Sequence, residues 1–160
     1  MKTAVIYYSY DGNCALIAEF IKAALNVDKF EIKTVDSKRR KGFALYLWGG
    51  GQAVLKKKPE IHPVAADIDS YDLIILGTPV WAASPAPAIL SYLDKTKISG
   101  KKLALFCCHR GGMGKALKKF KALLPGNTVI GEVDFFNPVK EDRAALKQKI
   151  DGWIKTFGIQ

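Results

Sequence analysis

Between Thr3 and Leu25 the hydrophobic pattern changes its period, and that change limits the possible folds more than any other feature of the chain. Thr3-Ala4-Val5-Ile6-Tyr7-Tyr8 is a short apolar run rich in β-branched and aromatic residues, the pattern of a buried strand. Ser9-Tyr10-Asp11-Gly12-Asn13-Cys14 breaks it with a small, polar turn. Beyond the turn Leu16, Ile17, Phe20, Ile21, Ala24 and Leu25 recur at helical spacing, with Glu19 and Lys22 on the other face and Asn13 placed near the N-cap. A strand, a tight loop and a helix aim the free N–H groups of the first helical turn, and the positive end of its dipole, at the loop. An anion belongs there, a phosphate above all. The loop is neither a dinucleotide fingerprint nor a Walker loop, since it has one glycine and no lysine-threonine pair after it. An ordinary capped helix would read the same way, so the rest of the chain has to decide.

The alternation continues. Lys29-Phe30-Glu31-Ile32-Lys33-Thr34-Val35 alternates apolar and polar residues as a half-buried or edge strand does. Tyr71 to Gly77 is a continuous apolar run, leading into the loop Thr78-Pro79-Val80-Trp81-Ala82-Ala83-Ser84, with Ser84 as N-cap of a proline-started helix through Ile89, Leu90 and Leu93. Leu103 to Cys107 reads as a strand, and Cys108-His109-Arg110-Gly111-Gly112 as its loop. A helix follows with Met113, Ala116, Leu117, Phe120, Leu123 and Leu124 inward. A last strand spans about Thr128 to Phe136, and a closing helix faces the sheet with Leu146, Ile150, Trp153, Ile154 and Phe157. Five strands alternating with helices require right-handed crossovers. They predict an α/β fold, a three-layer α/β/α sandwich around a five-stranded parallel sheet.

At 160 residues the chain is one domain with a sizeable core, 1–160, carrying an irregular insertion at about 36–70. The insertion holds basic clusters at Lys38 to Lys41 and Lys56 to Lys58. Phe43, Leu47 and Val54 between them suggest a short helical face, and the length suggests a lid or a docking surface. His62 reads as a surface loop residue. The apolar stretch from Leu73 to Leu90 contains Gly77, Pro79, Pro85 and Pro87, which argues against a membrane-spanning helix. The apolar run after Lys2 is too short for a secretory leader. Three cysteines, two of them adjacent, predict free thiols in a reducing, cytoplasmic setting. The net charge of +10 is uneven: residues 1–80 carry 11 basic and 9 acidic residues, a net +2, whereas 81–160 carry 14 and 6, a net +8. That field favours acidic partners or anionic small molecules, yet the lysines lack interleaved aromatics or a reading motif, so no specific nucleic-acid binding is expected.

In a parallel α/β sheet, ligands bind outside the carboxyl ends of the strands, at the topological switch point. Three loops leave those ends and should meet: Ser9 to Cys14, Thr78 to Ser84 and Cys108 to Gly114. The first suits a phosphate. The second offers the flat face of Trp81 among small residues, and the third supplies three glycines that let a ligand approach the backbone. A planar ring with a phosphate tail satisfies all three, which describes flavin mononucleotide (FMN). No metal-ligand spacing and no nucleophile-base pair is present, so no catalytic residue and no metal site are assigned.

The segment Tyr7 to Cys14, the Gly77-Thr78-Pro79-Val80-Trp81 loop and the glycine-rich third loop together resemble the flavodoxin family, of the short-chain kind. The resemblance implies sheet order 2-1-3-4-5, non-covalent FMN and electron transfer. It implies that Ser9, Tyr10, Asp11, Gly12, Asn13 and Cys14 surround the phosphate, with Thr78, Pro79, Val80, Trp81 and Ala82 and then Cys108, His109, Arg110, Gly111, Gly112 and Gly114 around the ring. The chain departs from the family where Asp11 and Cys14 replace threonines. Ala82 replaces the glycine whose peptide flips to favour a one-electron flavin, and no tyrosine covers the ring's second face, which His109 covers or which stays open. Typical flavodoxins are acidic, so this basic chain should meet a redox partner of different charge.

Three functions follow as expectations: an FMN-binding, flavodoxin-type electron carrier serving a redox partner protein; an FMN-dependent, quinone-reductase-like oxidoreductase using NAD(P)H and a small acceptor; or a flavin-free binding module of the same fold.

Overall fold

The computed structural model describes residues 1–35 and 58–158. Strand β1 (Thr3–Tyr8) is the apolar run at the start of the chain, buried on both faces, and α1 (Asn13–Leu25) follows the polar turn. Next come β2 (Asp28–Ile32), a 3-10 turn at Ile68–Ser70 and β3 (Leu73–Trp81). A two-residue strand β4 (Ser84–Pro85) leads into α2 (Pro87–Lys95). The chain closes with β5 (Lys102–His109), α3 (Ala116–Ala122), β6 (Thr128–Phe136), a 3-10 turn at Pro138–Lys140 and α4 (Arg143–Lys155).

The main strands lie in the order β2-β1-β3-β5-β6, all parallel, and β4 folds back antiparallel on the end of β3. Without β4 this is the order 2-1-3-4-5 expected for the five long strands. Successive side chains of a strand point to opposite faces, and the core splits accordingly. Val5, Tyr7, Leu73, Ile75, Ala104 and Phe106 pack with α1 and α4 on one face. Ala4, Ile6, Ile74, Leu76, Leu103 and Leu105 pack with α2 and α3 on the other. Three layers result, with the two halves of the core on either side of the sheet.

Several boundaries differ from the sequence reading, each for a local reason. The strand β3 continues through Thr78, Pro79, Val80 and Trp81 rather than ending at Gly77, because β4 supplies a pairing partner (Val80 with Pro85, Trp81 with Ser84). Ser84 is therefore a strand residue, and Ala86 takes the N-cap position ahead of Pro87. Cys108 and His109 belong to β5, which keeps its ladder to β6 through His109 and Phe136. The second strand stops at Ile32. Beyond it Thr34 bridges Ile61, with Val35 N–H donating to the Glu60 carbonyl (2.9 Å) and His62 N–H to that of Lys33 (2.8 Å). Residues 33–35 and 60–62 are thus held side by side, with His62 exposed as expected. The face built on Phe43, Leu47 and Val54 and both basic clusters up to Lys57 lie outside the described residues. Met113 and Leu123, expected inward, are 37% and 43% exposed, since only Ala116, Leu117, Phe120 and Leu124 of that region meet the sheet. On α1 the buried stripe is Cys14, Ile17, Ala18 and Ile21, and Ala24 is exposed. The five inward residues expected around α4 are all buried.

Candidate functional site

Three connections leave the carboxyl ends of β1, β3 and β5, and each touches the other two. The first is Ser9 to Gly12. Gly12 has φ +90°, a left-handed value that glycine adopts without strain, and it takes the N-cap position. Asn13, expected near the cap, is instead the first residue of the helix. It is buried, and its Oδ1 accepts the Val139 N–H (3.0 Å) from the turn after β6. Ser9 Oγ accepts from Ala15 N–H (3.1 Å) and Asp11 Oδ1 from Asn13 N–H (3.2 Å). The N–H groups of Gly12 and Cys14 have no partner among the described residues. Cys14 turns its side chain into the core, where burial, and after it the neighbouring Cys108 thiol, push its pKa well above the ordinary thiol value. All three cysteines are free and buried.

The second connection is a hairpin of two residues, Ala82 and Ala83, between Trp81 and Ser84. Both alanines are exposed and both have positive φ, +48° and +54°, as a two-residue hairpin with type I′ geometry requires. Trp81 is half-buried, standing edge-to-face on Tyr10 (centroids 5.4 Å apart, 83°) and Tyr8 (6.4 Å, 76°). Thr78 is fully buried, its hydroxyl accepting Ala86 N–H (2.9 Å) and donating to the Pro79 carbonyl (3.0 Å). Thr78 and the buried Pro79 thus brace the hairpin from beneath, and Val80 is half-buried. Ser84 Oγ accepts from Lys119 Nζ of α3 (2.6 Å).

The third connection runs from Arg110 to Lys115. His109, at the end of β5, shows only 9% of its side chain. Its Nδ1 accepts Gly112 N–H (3.0 Å), so the neutral ring carries its proton on Nε2, which faces Asp134 Oδ2 at 2.9 Å. The ring also packs edge-on against Phe136 (5.8 Å, 61°). His109 is therefore committed to β6 and to holding its own loop. Gly111 and Gly112 border open space, whereas a Cβ on Gly114 (φ +52°) would lie 2.7 Å from Ala83 Cβ. Arg110 Nη2 reaches across to Asp11 Oδ2 at 3.0 Å.

Tyr10 with Trp81, Asp11 with Arg110 and Ala83 with Gly114 thus join the connections pairwise into one loop cluster beyond the strand ends. The sequence reading missed the residues that hold it. Asp134 lies on the neighbouring strand β6, Lys119 sits within a run of other lysines, and Val139 follows a strand end. None carries a spacing signal, because each acts through a long-range contact. No helix among the described residues is long and apolar enough to cross a membrane.

The family model for NADPH-dependent FMN reductase matches residues 1–137. Among solved structures, the chain is similar to a flavoprotein from Lactobacillus acidophilus NCFM in complex with FMN, at 28% identity over 96% of this chain and 98% of that one, TM-score 0.66. The apo-form of the flavoprotein from the same organism is 30% identical over 88% and 95%, TM-score 0.64. An oxidised flavodoxin 2 from Bacillus cereus shares the fold at 20% identity over 99% and 98%, TM-score 0.66. No curated protein matches the sequence at a significant level. With its flavodoxin-like sheet and a match over most of its length, the chain belongs to the NADPH-dependent FMN reductase family.

Proposed function

We propose that this FMN-binding flavoprotein holds its cofactor between the three loops and works as an oxidoreductase that takes electrons from a reduced nicotinamide. The residues fit the cofactor. The free N–H groups of Gly12 and Cys14 at the start of α1 suit a phosphate, with Ser9, Tyr10, Asp11 and Asn13 shaping the turn around them. Trp81, with Val80 and Ala82 beside it and Thr78 and Pro79 beneath, gives the ring an aromatic wall. Gly111 and Gly112 border open space and let it approach the backbone of the third loop, Gly114 makes room for Ala83, and Cys108 and His109 end β5 behind them. When bound, FMN supplies the redox chemistry; the protein binds it, orients it and limits access.

The observation that carries the choice of reductase is the position of His109. It was the side chain available to cover the ring's second face, and it is bonded to Asp134 and Gly112 instead. A face without an aromatic cover leaves room for a nicotinamide to stack and to pass a hydride, and the family's description names NADPH.

Mixing the FMN-loaded protein with NADPH without oxygen tests the reading. Loss of flavin absorbance within seconds, at a rate that saturates with NADPH, supports it. Flavin that stays oxidised with NADPH and NADH, but is reduced when a partner reductase is added, would return the protein to the carrier reading.

A further inference from the structure

The ion pair between Asp11 and Arg110 joins the first loop to the third. Asp11 uses both carboxylate oxygens: Oδ1 accepts the Asn13 N–H at 3.2 Å and Oδ2 meets Arg110 Nη2 at 3.0 Å. A carboxylate therefore occupies one N–H group of the helix start, beside the free N–H groups of Gly12 and Cys14. A phosphomonoester entering that turn brings about two negative charges next to a third. The arrangement is tolerable only if a cation is shared, and Arg110 is the cation in contact. Its side chain is 60% exposed and tied at its tip alone, so it can turn without disturbing the core.

Resting on the FMN reading above, we propose that Asp11 and Arg110 are an exchangeable pair: Asp11 holds the guanidinium in the empty protein, and the cofactor's phosphate takes it over on binding. Arg110 then selects phosphorylated over unphosphorylated flavin. Asp11 opposes binding until its partner is shared, which sets how tightly FMN is retained. Guanidinium is suited to the exchange because its planar fork can serve a carboxylate and a phosphate in turn.

The test compares dissociation constants for FMN and riboflavin in the wild type, Arg110→Met, Arg110→Lys and Asp11→Asn, with melting temperatures recorded for each. In Arg110→Met, FMN affinity should fall ~10- to 100-fold while riboflavin affinity changes less than about 2-fold. Arg110→Lys should recover part of the loss. Asp11→Asn keeps the acceptor for Asn13 N–H and removes the charge, so FMN should bind more tightly and riboflavin as before. Equal losses for both flavins in Arg110→Met, or weaker FMN binding in Asp11→Asn with an unchanged melting temperature, would overturn the proposal. So would a wild type that binds FMN and riboflavin alike, which leaves the flavin reading intact. A wild type that binds neither removes that reading and this inference together.

Discussion

At the scale of single residues, the proposed site depends on side chains held in place by their neighbours. Trp81 is half-buried, propped by Tyr8 and Tyr10, on a hairpin that needs no tryptophan for its turn. Trp81→Ala should weaken FMN binding ~10-fold, since an aromatic stack contributes about 0.5–1.5 kcal/mol beyond burial, and flavin fluorescence titration reads the change. Gly77 pairs with Phe106 on the neighbouring strand, and a Cβ there would lie 2.0 Å from Phe106 Cζ. Gly77→Ala should therefore cost about 2 kcal/mol in urea unfolding, with the fold retained. Trp81, Ser9 and the glycines stood out in the sequence because their chemistry suits a loop at a strand end. The direction in which His109 turns did not, because its partners Asp134 and Gly112 belong to a strand 25 residues on and to a turn of its own loop. The roles of Asp11 and Cys14 were equally hidden: only packing decides that Cys14 faces the core and that Asp11 has a cation to meet.

At the scale of elements, periodicity located every long strand and each helix outside 36–57, because a buried parallel strand and a one-sided helix have different repeats. It failed at the ends. A proline inside Thr78-Pro79-Val80-Trp81 reads as a loop, yet Pro79 ends the ladder of β3 with β5, opposite Cys108, while Val80 and Trp81 pair with β4. The hairpin that results keeps Ala82 and Ala83 left-handed, at a cost of about 1 kcal/mol for each alanine held there. Ala82→Asn, a residue that tolerates this region, should raise stability by about 0.5–1 kcal/mol, read as a higher melting temperature. An unchanged or lower value would mean that the hairpin is unstrained. Such a backbone also sets Trp81 relative to the third loop, because Ala83 lies against Gly114.

For the whole molecule, the parallel sheet places the first two loops on either side of the switch point between β1 and β3, and the two-sided core fixes them there. Buried acids make that core sensitive to alkali. Burial pushes the Cys107 thiol from 9.0 up to about 12 and the Tyr92 hydroxyl from 10.0 up to about 12, and Cys14 moves in the same direction. Each keeps its proton longer in the folded chain than in the unfolded one, so the unfolded state binds fewer protons as pH rises. Stability should hold below the ordinary thiol value and fall between 9.0 and about 12, as urea midpoints against pH would show. The excess positive charge of the second half includes Lys115 and Lys118, exposed at and beyond the third loop. Association with an acidic electron acceptor should slow as ionic strength rises, in the sense opposite to that for a basic one. Binding of FMN at the three loops is checked by titrating the cofactor-free protein into FMN and following flavin fluorescence. One site per chain with a dissociation constant below ~1 μM is expected, whereas no quenching at ~100 μM protein would contradict FMN binding there.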